Sequence, residues 1–189
     1  MRKTPLFVRQ LRAEAAIHSQ QLLFGTASLP QVDEKPGIAL LGKRVVRCRA
    51  SDDLRIIASP VAWEDYFRLR CQVESAYGLD VAATWPMIET MRERQTRLSI
   101  KWYFLNVKQE NVAAVGLLEF DFNHAHCGRL QDVDVFPQYR RRGFGNRLLS
   151  AIEALAANCG VADLFVEARE NDWPLQWYVR HGYERLAPT

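Results

Sequence analysis

Val135-Phe-Pro-Gln-Tyr-Arg140-Arg-Arg-Gly143-Phe-Gly145-Asn-Arg-Leu-Leu149 joins a strand to a helix through a short basic loop. Upstream, Leu130-Gln-Asp-Val-Asp-Val135 alternates apolar and polar residues with the period of two that marks a half-buried strand. Pro137 stops that strand, because proline has no N–H to give to a ladder. Downstream, Leu148, Leu149, Ile152, Leu155 and Ala156 recur at helical spacing, and Gly160 fits a C-terminal cap. Gly143 and Gly145 let the backbone turn and approach a ligand with no Cβ in the way. The unpaired amides of the helix's first turn, next to Arg140, Arg141 and Arg142, make an anion site.

Two familiar glycine-rich loops are excluded. A P-loop requires Lys and then Ser or Thr after its last glycine, whereas Asn146 and Arg147 follow Gly145. The dinucleotide fingerprint needs a third glycine, which is missing. The arrangement Val-x-Pro-x-x-Arg-x-x-Gly-x-Gly instead resembles the acyl-CoA loop of the GNAT superfamily of N-acyltransferases. Its consensus is Gln or Arg, two residues, Gly, one residue, then Gly or Ala; Arg140, Gly143 and Gly145 meet it.

A second segment extends the resemblance. After the apolar strand Leu164–Ala168 comes Asn171-Asp-Trp-Pro-Leu-Gln-Trp-Tyr178-Val-Arg-His-Gly182-Tyr183. Asn171 reads as a helix N-cap, Pro174 as a first-turn residue and Gly182 as the stop. This is similar to the other GNAT signature, an Asn, a helix carrying Tyr, then Gly and an aromatic four and five residues past that Tyr. Tyr178, Gly182 and Tyr183 match it position by position. The resemblance implies an α/β fold with a mixed, mostly antiparallel central sheet flanked by helices. It also implies acyl-CoA held at the strand-loop-helix by Val133, Val135, Arg140, Arg141, Arg142, Gly143, Phe144, Gly145 and Asn146, with Asn171 nearby. The implied co-substrate is acetyl-CoA, and no metal is expected.

The 189 residues, 48% hydrophobic, suit one enzyme-sized core. A net charge of +3 does not point to nucleic acid, but the charge is unevenly placed. Residues 1–50 carry nine Lys/Arg against three acidic residues, while 51–189 carry sixteen against nineteen. The first stretch therefore reads as an N-terminal extension and 51–189 as the acetyltransferase domain. Cys48, Cys71, Cys127 and Cys159 form no Cys-x-x-Cys pair, as befits thiols in a reducing compartment. No secretory leader or membrane-spanning run is evident, and a cytoplasmic protein is expected.

Along the chain, a helix is expected over Arg9–Phe24 ahead of Gly25, a loop over Thr26–Gly37, and strands over Ile38–Leu41 and Arg44–Arg49, bent at Gly42. Leu54–Ala58 reads as the first core strand. Ser59 and Pro60 open a helix with Trp63, Phe67 and Cys71 on one face, and Thr84 caps the next, which holds Trp85, Ile88 and Met91. Trp102–Val107 and Val112–Asp121 form a hairpin about Lys108–Asn111. This order matches a GNAT core until Tyr183, after which only Glu184–Thr189 remain, too few for the family's usual closing hairpin and strand. An exposed sheet edge would result, which proteins cover. Truncation, a partner subunit (hence a homodimer) or the 38–49 region accounts for the gap; the last is the preferred candidate.

Acyl transfer to an amine requires a neutral nitrogen, yet a primary amine has a pKa of about 10 and is protonated at neutral pH. A base, or a water chain, must remove a proton. In the family a backbone N–H near Val135 steadies the oxyanion, and Tyr178 occupies the general-acid position. Some relatives carry Glu on the motif strand; here Gln131 fills that place and cannot act as a base. Asp132 is the first choice of base, with Asp134, Glu119 and Asp121 as alternatives. His124 and His126 beside Cys127 lack further metal-ligand spacing, and Trp173 and Trp177, a turn apart, read as core. The expected function is acetyl transfer from acetyl-CoA to an amine, on a small molecule or peptide. Alternatives are a catalytically silent acyl-CoA sensor and an enzyme for a macromolecule, such as a protein N-terminus or aminoacyl-tRNA, docked through residues 1–50.

Overall fold

The computed structural model describes residues 6–24 and 37–186. In chain order the elements are α1 Leu6–Phe24, β1 Ile38–Arg44, β2 Leu54–Ile56, α2 Pro60–Ser75, α3 Val81–Arg97, β3 Ile100–Val107, β4 Glu110–Phe122, β5 Ala125–Val135, a 3-10 turn at Pro137–Tyr139, α4 Phe144–Asn158, β6 Asp163–Arg169, α5 Trp173–Arg180 and β7 Glu184–Arg185. The seven strands form an open sheet in the order β2-β3-β4-β5-β6-β1-β7. The β5–β6 pair is parallel, while β2–β3, β3–β4, β1–β6 and β1–β7 are antiparallel. This is the mixed, mostly antiparallel α/β sheet expected from the motifs. The chain divides into two compact units, Met1–Val46 with Glu119–Arg129 and Cys159–Thr189, and Arg47–Leu118 with Leu130–Asn158.

The second unit is built on an aromatic core. Ser59 caps α2 by accepting from the Ala62 amide, and Pro60 opens it. Its buried stripe is Trp63, Tyr66, Arg70 and Val73; Phe67 and Cys71, expected on that face, are only half-buried. Tyr66 packs 6.0 Å from both the Trp102 and Phe104 rings of β3, and Phe104 stands 6.3 Å from Phe136. A Cβ on Gly116 would lie 2.7 Å from Trp102, so only glycine admits that indole. The cap of α3 is Asp80, whose carboxylate accepts from Ala83 N at 2.8 Å, rather than Thr84. Thr84 lies one turn inside, wholly buried, its hydroxyl donating to Asp80 O. Lys108 and Gln109, at φ +50° and +68°, make the β3–β4 turn.

In the first unit, β1 is one continuous strand through Gly42 and is not bent there. Phe165 and Leu186 come within 3.1 Å of a Cβ at that position, so the glycine serves close packing. No second strand follows: β1 ends at Arg44, and Val46 is 80% exposed. β1 pairs with β6 over seven residues, Ile38↔Arg169 to Arg44↔Asp163, and with β7 through Leu41↔Arg185 and Gly42↔Glu184. The N-terminal strand thus lies between the last two strands of the chain. Two buried arginines tie α1 to the same strands. Arg12 lies 3.0 Å from Asp163 and 3.5 Å from Glu184, and Arg129 donates to Ser19 Oγ at 3.0 Å while meeting Glu167 at 3.0 Å. The expected cap at Gly25 and the loop to residue 36 fall outside the described residues.

Candidate active site

The parallel ladder of β5 with β6 covers Cys127–Arg129. From Gln131 onward β5 changes character: Gln131–Val135, including Asp132, Val133 and Val135, are all half-buried, without the strict alternation the sequence suggested. The cause is local. Asp132 has φ +44°, a left-handed conformation that interrupts the pleat as a bulge does. Phe136 is buried and its amide donates to Val112 O at 3.1 Å, fixing the end of the strand. Arg141 (φ +59°) and Gly143 (φ +79°) then reverse the backbone into α4. Among the described residues, no atom beyond the two chain neighbours lies within 4 Å of where a Gly143 Cβ would stand, so the turn is open on that side. Phe144 and Gly145 open α4 half-buried, and Asn146 is exposed.

The basic residues of the loop divide into two kinds. Arg140 turns back, its Nε donating to Val135 O at 3.1 Å, and Arg147 is held by Asp53 at 2.8 Å. Arg141 and Arg142 project exposed side chains beside the amides of the α4 N-terminus. Charge and geometry fit a phosphate-bearing ligand there.

Asp132 and Asp134 share one partner. Arg70 Nη2 donates to Asp132 Oδ1 at 3.2 Å and Nη1 donates to Asp134 Oδ2, while Nε donates to Glu74 Oε1 at 2.6 Å. One buried guanidinium thus meets three carboxylates. Burial pushes the Asp134 carboxyl above the usual carboxylate range; Arg70 opposes the shift, Asp132 and Glu74 reinforce it, and Arg140 opposes it. For Arg70, burial works against the charge, but the surrounding groups, the three carboxylates among them, outweigh it and the guanidinium stays protonated. Burial raises the Tyr66 phenol far above its ordinary value, so this neighbour on α2 is neutral. Arg70 and Glu74 were missed by sequence reasoning. A helical arginine 62 and 64 residues from its partners leaves no local pattern.

The first unit holds the other signature. Tyr178 lies on α5, 4% exposed, with its ring 4.8 Å from Trp177 and 5.3 Å from Tyr183. Its carbonyl accepts from the amides of His181 and Tyr183, which closes the helix end at Gly182 (φ +85°). The N-cap of α5 is Asp172, which accepts from Trp173 N at 2.7 Å; Asn171 precedes it in an exposed turn. Trp173 is 70% exposed and so is no part of the core.

The acetyltransferase (GNAT) family model matches residues 63–183. The chain belongs to the GNAT family. Among solved structures it is similar to a GCN5-related N-acetyltransferase from Ralstonia eutropha, 23% identical over 72% of this chain and 92% of that one, with a TM-score of 0.52. A predicted acetyltransferase from Clostridium acetobutylicum, solved with acetyl-CoA, is 12% identical over 69% of this chain and 88% of its own, TM-score 0.53. A functionally unknown conserved protein from Staphylococcus epidermidis matches 98% of this chain and 78% of its own at 14% identity, TM-score 0.56. At these identities the likeness is one of fold, and in the last case it extends into the N-terminal residues.

Within this GNAT chain the alternative bases Glu119 and Asp121 sit with His126, which lies 2.9 Å from Asp121 and 3.3 Å from Glu119. Burial lowers the His126 pKa, but the two carboxylates outweigh it and the net shift is upward. His124 (φ +63°) is in the β4–β5 turn itself. Among the described residues no group of three or more His, Cys, Asp or Glu is arranged to hold a metal ion, and no helix is long and apolar enough to cross a membrane.

Proposed function

We propose that the protein transfers an acetyl group from acetyl-CoA to a primary amine by direct attack. The observation that carries this reading is the β5–loop–α4 turn, with Asp132 and Asp134 leading into it and an open Gly143 at the helix N-terminus. The α4 amides with Arg141 and Arg142 bind the pyrophosphate, since backbone donors and guanidinium forks both suit phosphate oxygens. A backbone N–H near Val135, with Val133 beside it, steadies the thioester oxyanion. The acceptor arrives as an ammonium, and three carboxylates against one guanidinium leave a net negative charge that favours it.

The carboxylate pair Asp132/Asp134 takes the first proton. The freed nitrogen attacks, a C–N bond forms and the C–S bond breaks. Tyr178 donates a proton to the departing thiolate and recovers one from the nitrogen through solvent. Of the three ammonium protons, one stays on the amide, one ends on sulfur and one leaves to solvent. The raised pKa of Asp134 narrows its gap to the amine and so favours its role as acceptor of that proton.

The four free thiols suit a reducing compartment, and we assign the protein to the cytoplasm. The acceptor is a small molecule or peptide. The docking-arm reading is weakened because Arg12, one of the nine Lys/Arg of the basic segment, is spent on internal ion pairs with Asp163 and Glu184. CoA release followed with a thiol reagent over spermidine, agmatine and a peptide with a free N-terminus tests the reading. Acetyl-CoA binding with no release for any amine would turn it to a sensor.

A further inference from the structure

We propose that Arg70 is a positioning residue for the transfer base: its guanidinium holds Asp132 and Asp134 side by side, and Glu74 fixes the guanidinium from the third side. This rests on the reading that the Asp132/Asp134 pair removes the amine proton. The geometry is specific. A guanidinium is a planar fork of donors, and here its Nε and both Nη atoms each serve a different carboxylate. Arg70 stands in the buried stripe of α2, one turn after Tyr66 and one turn before Glu74, and its side chain is 8% exposed. Asp132 and Asp134 keep 29% and 26% of their side-chain surface, so they remain reachable while their anchor is not.

The left-handed backbone at Asp132 gives the anchor a purpose. A left-handed aspartate in a strand is strained, and the hydrogen bond to Arg70 is an interaction that holds its carboxylate in register with Asp134. Electrostatics give it a second one. Repulsion among the three carboxylates opposes their ionisation and the guanidinium offsets it, so loss of Arg70 would favour the protonated form of the pair. The charged or titratable groups facing Asp134 are Tyr66, Arg70 and Glu74 of α2, Asp132 of β5 and Arg140 of the loop. Arg70 and Glu74 therefore act on the pair with opposite sign.

That opposition defines the test. Carboxyl resonances of Asp132 and Asp134 are followed by pH titration of 13C-aspartate-labelled full-length protein, assigned with Asp132→Asn and Asp134→Asn. The pH profile of kcat/KM is measured with whichever panel amine releases CoA. In Arg70→Gln the pair's apparent pKa values and the acidic limb of the profile rise by about one unit; in Glu74→Gln both fall. Arg70→Lys restores part of the shift, and acetyl-CoA affinity stays at the parent value in all three. Because Arg70→Gln removes a buried charge and risks unfolding, Glu74→Gln and Arg70→Lys carry the test alone if needed. A merely structural clamp would lower the melting temperature while leaving titrations and profile in place, and that result overturns the proposal. Full turnover in an Asp132→Asn/Asp134→Asn double variant would remove the base assignment and the positioning role with it. A slow double variant beside Arg70 and Glu74 variants of unchanged profile would remove the positioning role alone.

Discussion

Arg147, in the first turn of α4, and Asp53, just before β2, are joined by a hydrogen bond of 2.8 Å across 94 residues of chain. A positive side chain at a helix N-terminus opposes the macrodipole, and the carboxylate offsets it. The pairing commits Arg147 to Asp53, and Arg141 and Arg142 are left as the exposed arginines of the loop. Arg147 and then Ser51 hold the Asp53 carboxyl below the usual carboxylate range. A depressed folded-state pKa contributes stability above the unfolded value that is lost as pH falls through the folded one. Asp53→Asn is thus expected to cost up to about 1 kcal/mol at pH 7, the bond being exposed and screened. The gap between urea melts of the two proteins should be full at pH 7 and shrink as pH falls below the free carboxylate value of about 4, and a gap that does not change with pH would contradict the linkage.

Gly143 combines a left-handed backbone with open space on its Cβ side. A Gly143→Val chain would pay the φ penalty of about 1–2 kcal/mol and place its methyls where a pyrophosphate must approach. Acetyl-CoA binding is expected to weaken by at least about tenfold while the protein stays folded, as titration calorimetry with circular dichroism would show. Parent-like affinity would dismiss the loop as the cofactor cradle.

Tyr178→Phe keeps the ring and its contacts with Trp177 and Tyr183 and removes only the hydroxyl. Turnover is expected to fall by about 10²-fold with acetyl-CoA affinity unchanged. Single-turnover CoA release would separate the two quantities. A variant with the parent rate would end the general-acid assignment.

Parts of this molecule governed by neighbours in sequence were legible in advance. The amphipathic run from Leu148 to Ala156, the Ser59-Pro60 helix start and the β3–β4 hairpin follow from periodicity, capping and turn chemistry, and each formed where those rules place it. Capping errors came from nearby candidates: Asp80, one turn before Thr84, and Asp172, next to Asn171. The acceptor side chain that reaches a free amide decides, and the sequence offers both. The strand read from Leu130 to Val135 is the second half of β5, which begins at Ala125, directly after the turn at Asn123 and His124. What stayed hidden was long-range. The Arg70 cluster unites α2 and β5, and Gly42, which resembled a bend, is instead required by Phe165 and Leu186.

β1 makes the N-terminal segment a structural question more than a docking one. Leu41 is fully buried, and the strand supplies the partner for all of β6 on that side and for β7. Removing residues 1–50 would expose the β6 edge and leave β7 unpaired. It would also take Ser19 from Arg129, which keeps Glu167, and leave Asp163 without its ion-pair partner Arg12. A buried charge left without partners costs several kcal/mol, comparable to the whole stability of a domain. The truncated protein is therefore expected to aggregate or to lose its cooperative melt, as light scattering and thermal denaturation would show. A truncated protein with the parent's melting temperature and a monodisperse profile would make the segment an independent arm. Its surplus of basic residues would then argue for a macromolecular acceptor.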